Sequence, residues 1–183
     1  VVGLYVRLTI TETPIFAEAL NKHRPTKMPL VVVLKDHPVT LLRGILVSLV
    51  SFVLFYLMSV FTLSWGTSAL GYTRDQFLVM QLFGILFFAL TIPLSGRLAE
   101  SGRRRALIWM VIAAMLFGLV MAPLFAAGTT GALVMLAIGF SLTGLVYGPL
   151  GTVLSELFPT AVRYTGSSIA FNVAGIFGAS LAP

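Results

Sequence analysis

The chain has 183 residues, of which 58% are hydrophobic and only 10% are charged. Ordinary soluble domains carry about 25% charged residues, so a soluble fold could not cover this much apolar surface, and intrinsic disorder is excluded as well. The absence of cysteine excludes a disulfide framework, a thiolate metal site and a cysteine nucleophile. The net charge is +6. Because the basic residues of the chain lie between apolar runs, they indicate membrane topology rather than nucleic-acid binding.

Four complete apolar runs are long enough to cross a membrane as helices, which takes about 20 residues. They cover residues 45–65, 77–95, 106–125 and 132–154. We expect residues 167–183 to be a truncated fifth span and residues 1–8 to end a preceding one. The sequence therefore predicts an all-α integral membrane protein, with a loop over 9–43 and a transmembrane helix bundle over 44–183.

The basic residues between the runs predict the side of the membrane that each connection faces. Connections 7–43, 96–105 and 155–166 carry six, four and one Lys or Arg, whereas the two alternate connections carry one and none. The positive-inside rule therefore places the first three in the cytoplasm. Within the first connection we expect a short amphipathic helix near residues 14–22 and an interfacial segment over Leu30–Leu34, with a disordered linker as the alternative.

Polar residues within the runs mark a candidate substrate cavity, because they are costly to leave in lipid. At about 100° per residue, the first run gathers its serines and threonines on one face, with Tyr56 beside them. Packing against another helix is an equal alternative for that face. The candidate cavity residues are Gln81, Tyr147, Asn172, Tyr56, Ser59, Thr62 and Thr143.

Two further patterns predict helix packing. Gly144, Gly148, Gly151 and Ser155 form a ridge of small residues, which usually indicates close helix contact rather than a ligand site. The run 106–125 is almost free of polar side chains, so we expect it to face lipid on most sides.

Two charged motifs follow the second and fourth runs. Residues 96–105 read Gly-Arg-Leu-Ala-Glu-Ser-Gly-Arg-Arg-Arg, where Gly96 and Gly102 would permit a tight turn between helices. Residues 155–166 read Ser-Glu-Leu-Phe-Pro-Thr-Ala-Val-Arg-Tyr-Thr-Gly. The first motif resembles the loop Gly-x-Leu-Ala-Asp-Arg-x-Gly-Arg-Arg of the major facilitator superfamily, with Glu100 replacing Asp and one residue missing. The second is similar to the segment Glu-x-Phe-Pro-x-x-x-Arg-x-x-Gly between helices 10 and 11 of that superfamily.

This resemblance implies a fragment that contains helices 7 to 11 of a twelve-helix transporter, with the tail of helix 6. Residues 12–16, Glu-Thr-Pro-Ile-Phe, and 147–149, Tyr-Gly-Pro, resemble the metabolite:proton symporters, which include shikimate, α-ketoglutarate, citrate and proline/betaine carriers of bacteria. The resemblance implies alternating access in the inner membrane. It also implies a small polar substrate, most readily an organic acid, and a proton gradient as energy source without a cofactor. The missing N-terminal half would complete the cavity.

Other readings remain as alternatives. An osmolyte symporter or a drug efflux carrier would share the superfamily, and a non-transporting membrane sensor would share the fold. An enzyme would need an acid–base pair, a nucleophile or a metal cluster in the spans, and the sequence offers no such residues there, so we expect no catalytic or metal site. The cytoplasmic charges are predicted to form a conformational latch, with a purely topological role as the alternative. The latch residues are Glu100, Arg103, Arg104, Glu156 and Arg163.

Overall fold

The computed structural model describes residues 28–100 and 102–181, which are helical apart from short turns. The helices are α1 (Pro29–Asp36), α2 (Pro38–Tyr56), α3 (Thr62–Ser68), α4 (Arg74–Glu100), α5 (Arg103–Ala126), α6 (Gly128–Tyr147), α7 (Leu150–Leu157) and α8 (Arg163–Leu181). A π-helical turn, Leu57–Phe61, joins α2 to α3 without a break. The amphipathic helix predicted near residues 14–22 lies outside the described residues.

Within the described ranges, four stretches are long and apolar enough to cross a membrane. They are Pro38–Ser68, Arg74–Ala99, Arg104–Ala126 and Gly128–Leu157. Each contains one complete apolar run of the sequence, and each is longer than that run, because polar and charged residues at its ends continue the helix. The first stretch, for example, begins at Pro38 rather than at residue 45, and proline at a first helical position has the backbone angle that a helix requires.

The turn between α4 and α5 differs from the expectation for its glycines. Gly96 lies inside α4, which continues to Glu100, so it takes no part in the turn. Gly102 lies at the reversal, with a φ of 141° that a residue with a side chain rarely adopts. It directly precedes Arg103, where α5 begins.

The segment Leu30–Leu34 lies in α1, a helix that packs against α2 and α8. Val33 is fully buried there, in a core that also contains Leu41 and Leu154. A second core lies at the other end of the bundle, where Met58, Phe77, Phe117 and Phe140 are among the buried members. The two cores hold the bundle together at the two ends of its spans.

The most extensive helix contacts join α4 to α6, α2 to α8 and α5 to α6. The glycine ridge forms part of the first contact, because a Cβ atom on Gly144 would lie 2.6 Å from the backbone oxygen of Phe88. On Gly148 it would lie 2.8 Å from the oxygen of Ile92, whereas on Gly151 it would meet nothing within 4 Å. The packing interpretation of the ridge is thus confirmed at its first two glycines.

The α5 span is the least buried of the four. Only 17% of its most apolar window is buried, compared with 22% for each of the first two spans and 50% for the span Gly128–Leu157. This low burial is in line with the prediction that the run 106–125 faces lipid on most sides, although the first two spans are nearly as little buried.

Candidate functional site

The π turn in the middle of the first span is the main irregularity of the described helices. In this turn the Thr62 N–H donates to the carbonyl of Leu57, five residues earlier, instead of four. A π turn interrupts the regular backbone ladder, so its carbonyls become accessible to donors from other helices. The amide Nε2 of Gln81, on α4, lies 3.0 Å from the Met58 oxygen and 2.7 Å from the Ser59 oxygen.

Gln81 therefore does not occupy the cavity position that the sequence suggested. Its side chain is only 6% exposed, and its Nε2 also lies 3.2 Å from the hydroxyl of Thr62. That hydroxyl in turn donates to the Met58 oxygen at 2.5 Å. A buried amide that meets three acceptors is satisfied by protein rather than by water, which is why it can lie within a span.

Three other cavity candidates, unlike Gln81, bond to their own helix. Thr62 and Thr143 are fully buried, and the Thr143 hydroxyl donates to the Gly139 oxygen at 2.8 Å. Ser59 is half-buried, and its hydroxyl donates to the Phe55 oxygen at 2.6 Å. For Thr62 the structure thus favours packing, the alternative that the sequence left open for the stripe on the first run, and Thr143 on the fourth run is buried in the same way.

The remaining candidates, Tyr56, Tyr147 and Asn172, lie on one partly exposed surface. Three ring contacts and one shared groove connect them across α2, α4, α6 and α8. The aromatic rings, which we name the aromatic band, are Phe55, Tyr56, Phe88 and Tyr147. Phe55 lies 5.9 Å from Tyr56 and 6.2 Å from Phe88, and Phe88 lies 5.8 Å from Tyr147, measured between ring centroids. Tyr147 is 37% exposed, so the band ends at an accessible phenol.

Asn172 extends this surface onto α8. It lines a groove of about 370 Å³ together with Tyr56 and Phe171. It also lines a larger groove of about 660 Å³ that continues along α7 and α8 to Arg163. The Asn172 side chain is exposed, and its Nδ2 donates to the Ser168 oxygen at 2.8 Å. Its carbonyl oxygen has no hydrogen bond among those described, so it can accept one from a ligand.

The larger groove extends from the site toward the Arg163 end of α8, and its wall is mostly apolar. Its wall carries the hydroxyls of Ser155, Thr160, Ser167 and Ser168. Arg163 lies at the start of α8, where its Nε donates to the Phe158 oxygen at 3.4 Å. The Phe158 ring also occupies the space beside Gly166, where an added Cβ would lie 2.6 Å from its Cε1. This contact agrees with the sequence expectation that Gly166 permits close packing.

The predicted latch residues lie at the helix ends. Arg104, Glu156 and Arg163 are exposed there. The side chains of Glu100 and Arg103 lie outside the described part of the structure. The latch therefore stays a prediction.

Two members of the aromatic band, Phe55 and Phe88, were not among the cavity candidates, although the sequence places each on a helical face with polar residues of its own span. A selection of cavity residues by polarity does not include phenylalanine, although an aromatic ring that faces a cavity offers a large contact surface.

The residues of this surface that lie toward the middle of the spans carry no formal charge. In the described spans, charged residues occur only near the helix ends, and the described residues contain no group of three side chains that could hold a metal ion. The central surface can therefore stack, donate or accept hydrogen bonds.

Comparison with known proteins places these features in a family. The family model for the Major Facilitator Superfamily matches residues 1–183, the whole chain. The inner membrane metabolite transport protein YhjE of Escherichia coli (strain K12) is 37% identical, over 100% of this chain and 43% of its own length. The citrate-proton symporter of Salmonella typhi is 28% identical over 94% of this chain and 40% of its own. The shikimate transporter of Escherichia coli (strain K12) is 29% identical over 99% and 42%.

The chain thus spans less than half the length of these relatives. No solved structure matches the chain significantly. The family match covers both charged motifs and all the described helices, and it confirms the all-α membrane fold and the resemblance drawn from the motifs. This chain belongs to the Major Facilitator Superfamily.

Proposed function

We propose that this chain forms part of a secondary transporter that moves a small organic acid across the bacterial inner membrane with protons. The names of the relatives support the class, because citrate and shikimate are carboxylates and one relative is named a proton symporter. The name of YhjE supports the inner membrane as location. The chain would supply one wall of the substrate cavity, and the rest of the full-length protein would supply the other.

The observation that carries this proposal is the partly exposed surface that joins four helices. Tyr56 and Phe88 lie near the middle of the stretches Pro38–Ser68 and Arg74–Ala99, Tyr147 lies within the stretch Gly128–Leu157, and Asn172 lies in the middle of α8. Transporters that alternate access bind their substrate near the membrane midplane, between two helical bundles. A surface that offers rings, phenols and an amide at this depth fits the uncharged part of a small polar metabolite.

This chain and the rest of the full-length protein would contribute different groups to binding, because the described helices carry no charge near the middle of their spans. A carboxylate and a titratable proton carrier both need groups that these spans do not contain. On this proposal, the cation that binds the substrate carboxylate and the proton-carrying residue lie in the part of the protein beyond this chain. This wall orients the substrate and closes around it.

The aromatic band supports a second candidate, an osmolyte symporter for a quaternary ammonium compound. Aromatic faces attract such cations, by about 0.5–2 kcal/mol for each well-placed ring. Phe55, Tyr56, Phe88 and Tyr147 would then contribute directly to binding. No comparable observation favours drug efflux or a non-transporting sensor.

The test is uptake by proteoliposomes that contain the full-length protein, with an imposed proton gradient. Radiolabelled citrate, shikimate and glycine betaine are compared in the same preparation. We expect saturable uptake of a carboxylate that collapses when the gradient is removed. Uptake of betaine alone would favour the osmolyte candidate, and no uptake of any small solute would contradict both.

The cavity assignment predicts which positions water reaches. Single cysteines at Tyr147 and Asn172, in a cysteine-free full-length protein, should react with a water-soluble thiol reagent, and a transported substrate should slow the reaction. Tyr56 should react more slowly because it is half-buried, and Gln81 should not react because it is buried. A cysteine at the exposed position Leu119 on α5 serves as the lipid-facing control. Reaction at Leu119 with none at Tyr147 and Asn172 would refute the assignment.

The proposed latch also has a specific test. Glu156→Gln and Arg163→Gln, made singly in the full-length protein, should slow transport about five- to tenfold, since about 1 kcal/mol changes a rate by that factor. Substrate affinity within each conformation should be unchanged, because both residues lie at the membrane boundary rather than in the cavity. Arg74→Gln, an exposed arginine at the opposite helix end, is the control. Normal transport rates and unchanged inward and outward populations would leave only a topological role.

A further inference from the structure

Two buried hydroxyls of α2 make no hydrogen bond. Among the buried side-chain nitrogen and oxygen atoms of the described residues, only Ser48 Oγ and Ser51 Oγ have no hydrogen-bond partner. Ser48 is fully buried and Ser51 is 1% exposed. The two serines lie three residues apart and so share one face of the helix. Because the described helices already enclose both side chains, a partner from another part of the protein could not reach them in this state.

Other buried hydroxyls show what these two serines lack. Ser95 on α4 donates to the Ile92 oxygen at 2.6 Å, and Thr143 on α6 donates to the Gly139 oxygen at 2.8 Å. Serines and threonines in helices commonly bond in this way to a carbonyl three or four residues earlier. The two serines of α2 do not, although they lie in a regular helix. A buried hydroxyl is nearly always satisfied in a native protein, so the unpaired pair indicates a partner that this packing excludes.

The excluded partner follows from how closely α2 and α8 pack. A Cβ atom on Gly44 would lie 3.0 Å from the Cβ of Ala170, and one on Gly178 would lie 2.5 Å from the Cβ of Phe52. The two serines lie between Gly44 and Phe52 along α2, on the Gly44 face of the helix. Small residues let the two backbones approach here, and the remaining space is too narrow for a water molecule.

A groove reaches this contact from the side. Its volume is about 370 Å³, and it follows α2 and α8, with Phe52, Phe171 and Gly175 among its lining residues. The rings of Phe52 and Phe171 meet edge to face, with their centroids 4.8 Å apart. Because Phe52 directly follows Ser51 in the chain, the groove ends at the level of the buried hydroxyls, with this ring pair at its edge.

We propose that α2 and α8 part at this contact in a second state of the protein, and that water from the groove then binds the hydroxyls of Ser48 and Ser51. The source of the water rests on the proposed function, which assigns the groove to the aqueous cavity. An unpaired hydroxyl disfavours the closed contact, and hydration in the open contact removes that cost. Each serine therefore favours opening by about tenfold relative to alanine. The movement takes place within one helical bundle and is distinct from the rocking of two bundles against each other.

The first experiment measures whether water reaches the two positions. Single cysteines at Ser48 and Ser51, in a cysteine-free full-length protein in membrane vesicles, place a thiol of similar size at each hydroxyl. We expect both to react with methanethiosulfonate ethylammonium, and faster than the control Ser95→Cys, a fully buried serine whose hydroxyl has a partner. Rates no higher than that of the control would overturn the proposal. If Asn172→Cys in the groove reacts in the same preparation, the cavity assignment is kept and only this inference fails.

The second experiment removes one hydroxyl and follows the thiol at the other position. Ser48→Ala should slow the reaction of Ser51→Cys about tenfold, because the closed contact then contains one unpaired hydroxyl fewer. Ser51→Ala should slow the reaction of Ser48→Cys to the same extent. Ser141→Ala is the control, since the Ser141 hydroxyl donates to the Ala137 oxygen at 2.7 Å within its own helix. Unchanged rates, or the same decrease with Ser141→Ala, would overturn the proposal.

A stability measurement separates this mechanism from a loss of folding. The variant Ser48→Ala/Ser51→Ala should unfold in detergent at the same temperature as the unmodified full-length protein or at a higher one, because it loses no hydrogen bond of the closed contact. A lower unfolding midpoint would show that the hydroxyls have partners in that contact, and would overturn the proposal.

Discussion

Replacing Gly144 by alanine is expected to destabilise the bundle by forcing α4 and α6 apart. A Cβ at this position would lie 2.6 Å from the Phe88 backbone oxygen and would also meet the Thr91 hydroxyl. Backbone cannot rotate away as a side chain can, so α4 and α6 must separate along their most extensive contact. Overpacking of this kind costs about 1–3 kcal/mol, and a contact with backbone belongs at the upper end. We expect a lower yield of folded full-length protein and a lower thermal unfolding midpoint in detergent.

Gly151→Ala is the matched control for this prediction. It adds the same methyl group to a glycine of the same ridge, where nothing lies within 4 Å. Alanine also forms helices better than glycine, by about 1 kcal/mol, so this variant should be neutral or slightly more stable. Equal unfolding midpoints for the two variants would show that α4 and α6 do not meet at Gly144.

The variant Gln81→Met is expected to have the second-largest effect. Methionine has nearly the length of glutamine but no N–H groups, so it removes the donor to Met58 and Ser59 without opening a cavity. The loss of a partner for buried polar groups costs about 1–3 kcal/mol, and no water is available to replace it inside a membrane. The thermal unfolding midpoint should fall, and amide exchange should increase around the π turn.

Ser141→Ala serves as the control here. The Ser141 hydroxyl donates to Ala137 at 2.7 Å within its own helix and joins no second helix. Its loss should leave the unfolding midpoint almost unchanged. If Gln81→Met is equally harmless, the amide does not hold the π turn, and the hydrogen bonds described for it carry no stability.

The sequence predicted the helical spans because hydropathy follows from residue type alone. Four apolar runs each became a membrane-spanning stretch, and the low burial of the α5 span followed from its lack of polar residues. The contact at Gly144 was also predictable, since small residues at four-residue spacing let backbones approach. Helix ends were less predictable, because arginines and prolines at the membrane boundary fit a helix as well as a loop.

The role of Gln81 could not be read from the sequence. An amide within a span can face water or can bind backbone carbonyls, and both satisfy its hydrogen bonds equally. The second outcome requires carbonyls that a π turn makes accessible. The segment Leu57–Phe61 is apolar apart from Ser59, and none of its residues indicates a π turn from residue type alone. Polarity made Tyr147 and Asn172 cavity candidates, and the sequence also placed Phe55 and Phe88 on polar helix faces, but which of these faces the packed helices leave uncovered follows only from the fold.

The π turn also constrains how the length of this segment can change during evolution. Compared with a regular helix, the turn holds one additional residue, and losing it would rotate everything beyond Thr62 by about 100° relative to α2. Gly66, which lies against the Phe77 ring, would then leave its contact. A one-residue deletion between Tyr56 and Thr62 is therefore tolerable only if other contacts of α3 change as well. Gln81 would then lose the Met58 and Ser59 carbonyls to which it donates. Insertion length here and residue identity at position 81 should consequently change together among family members.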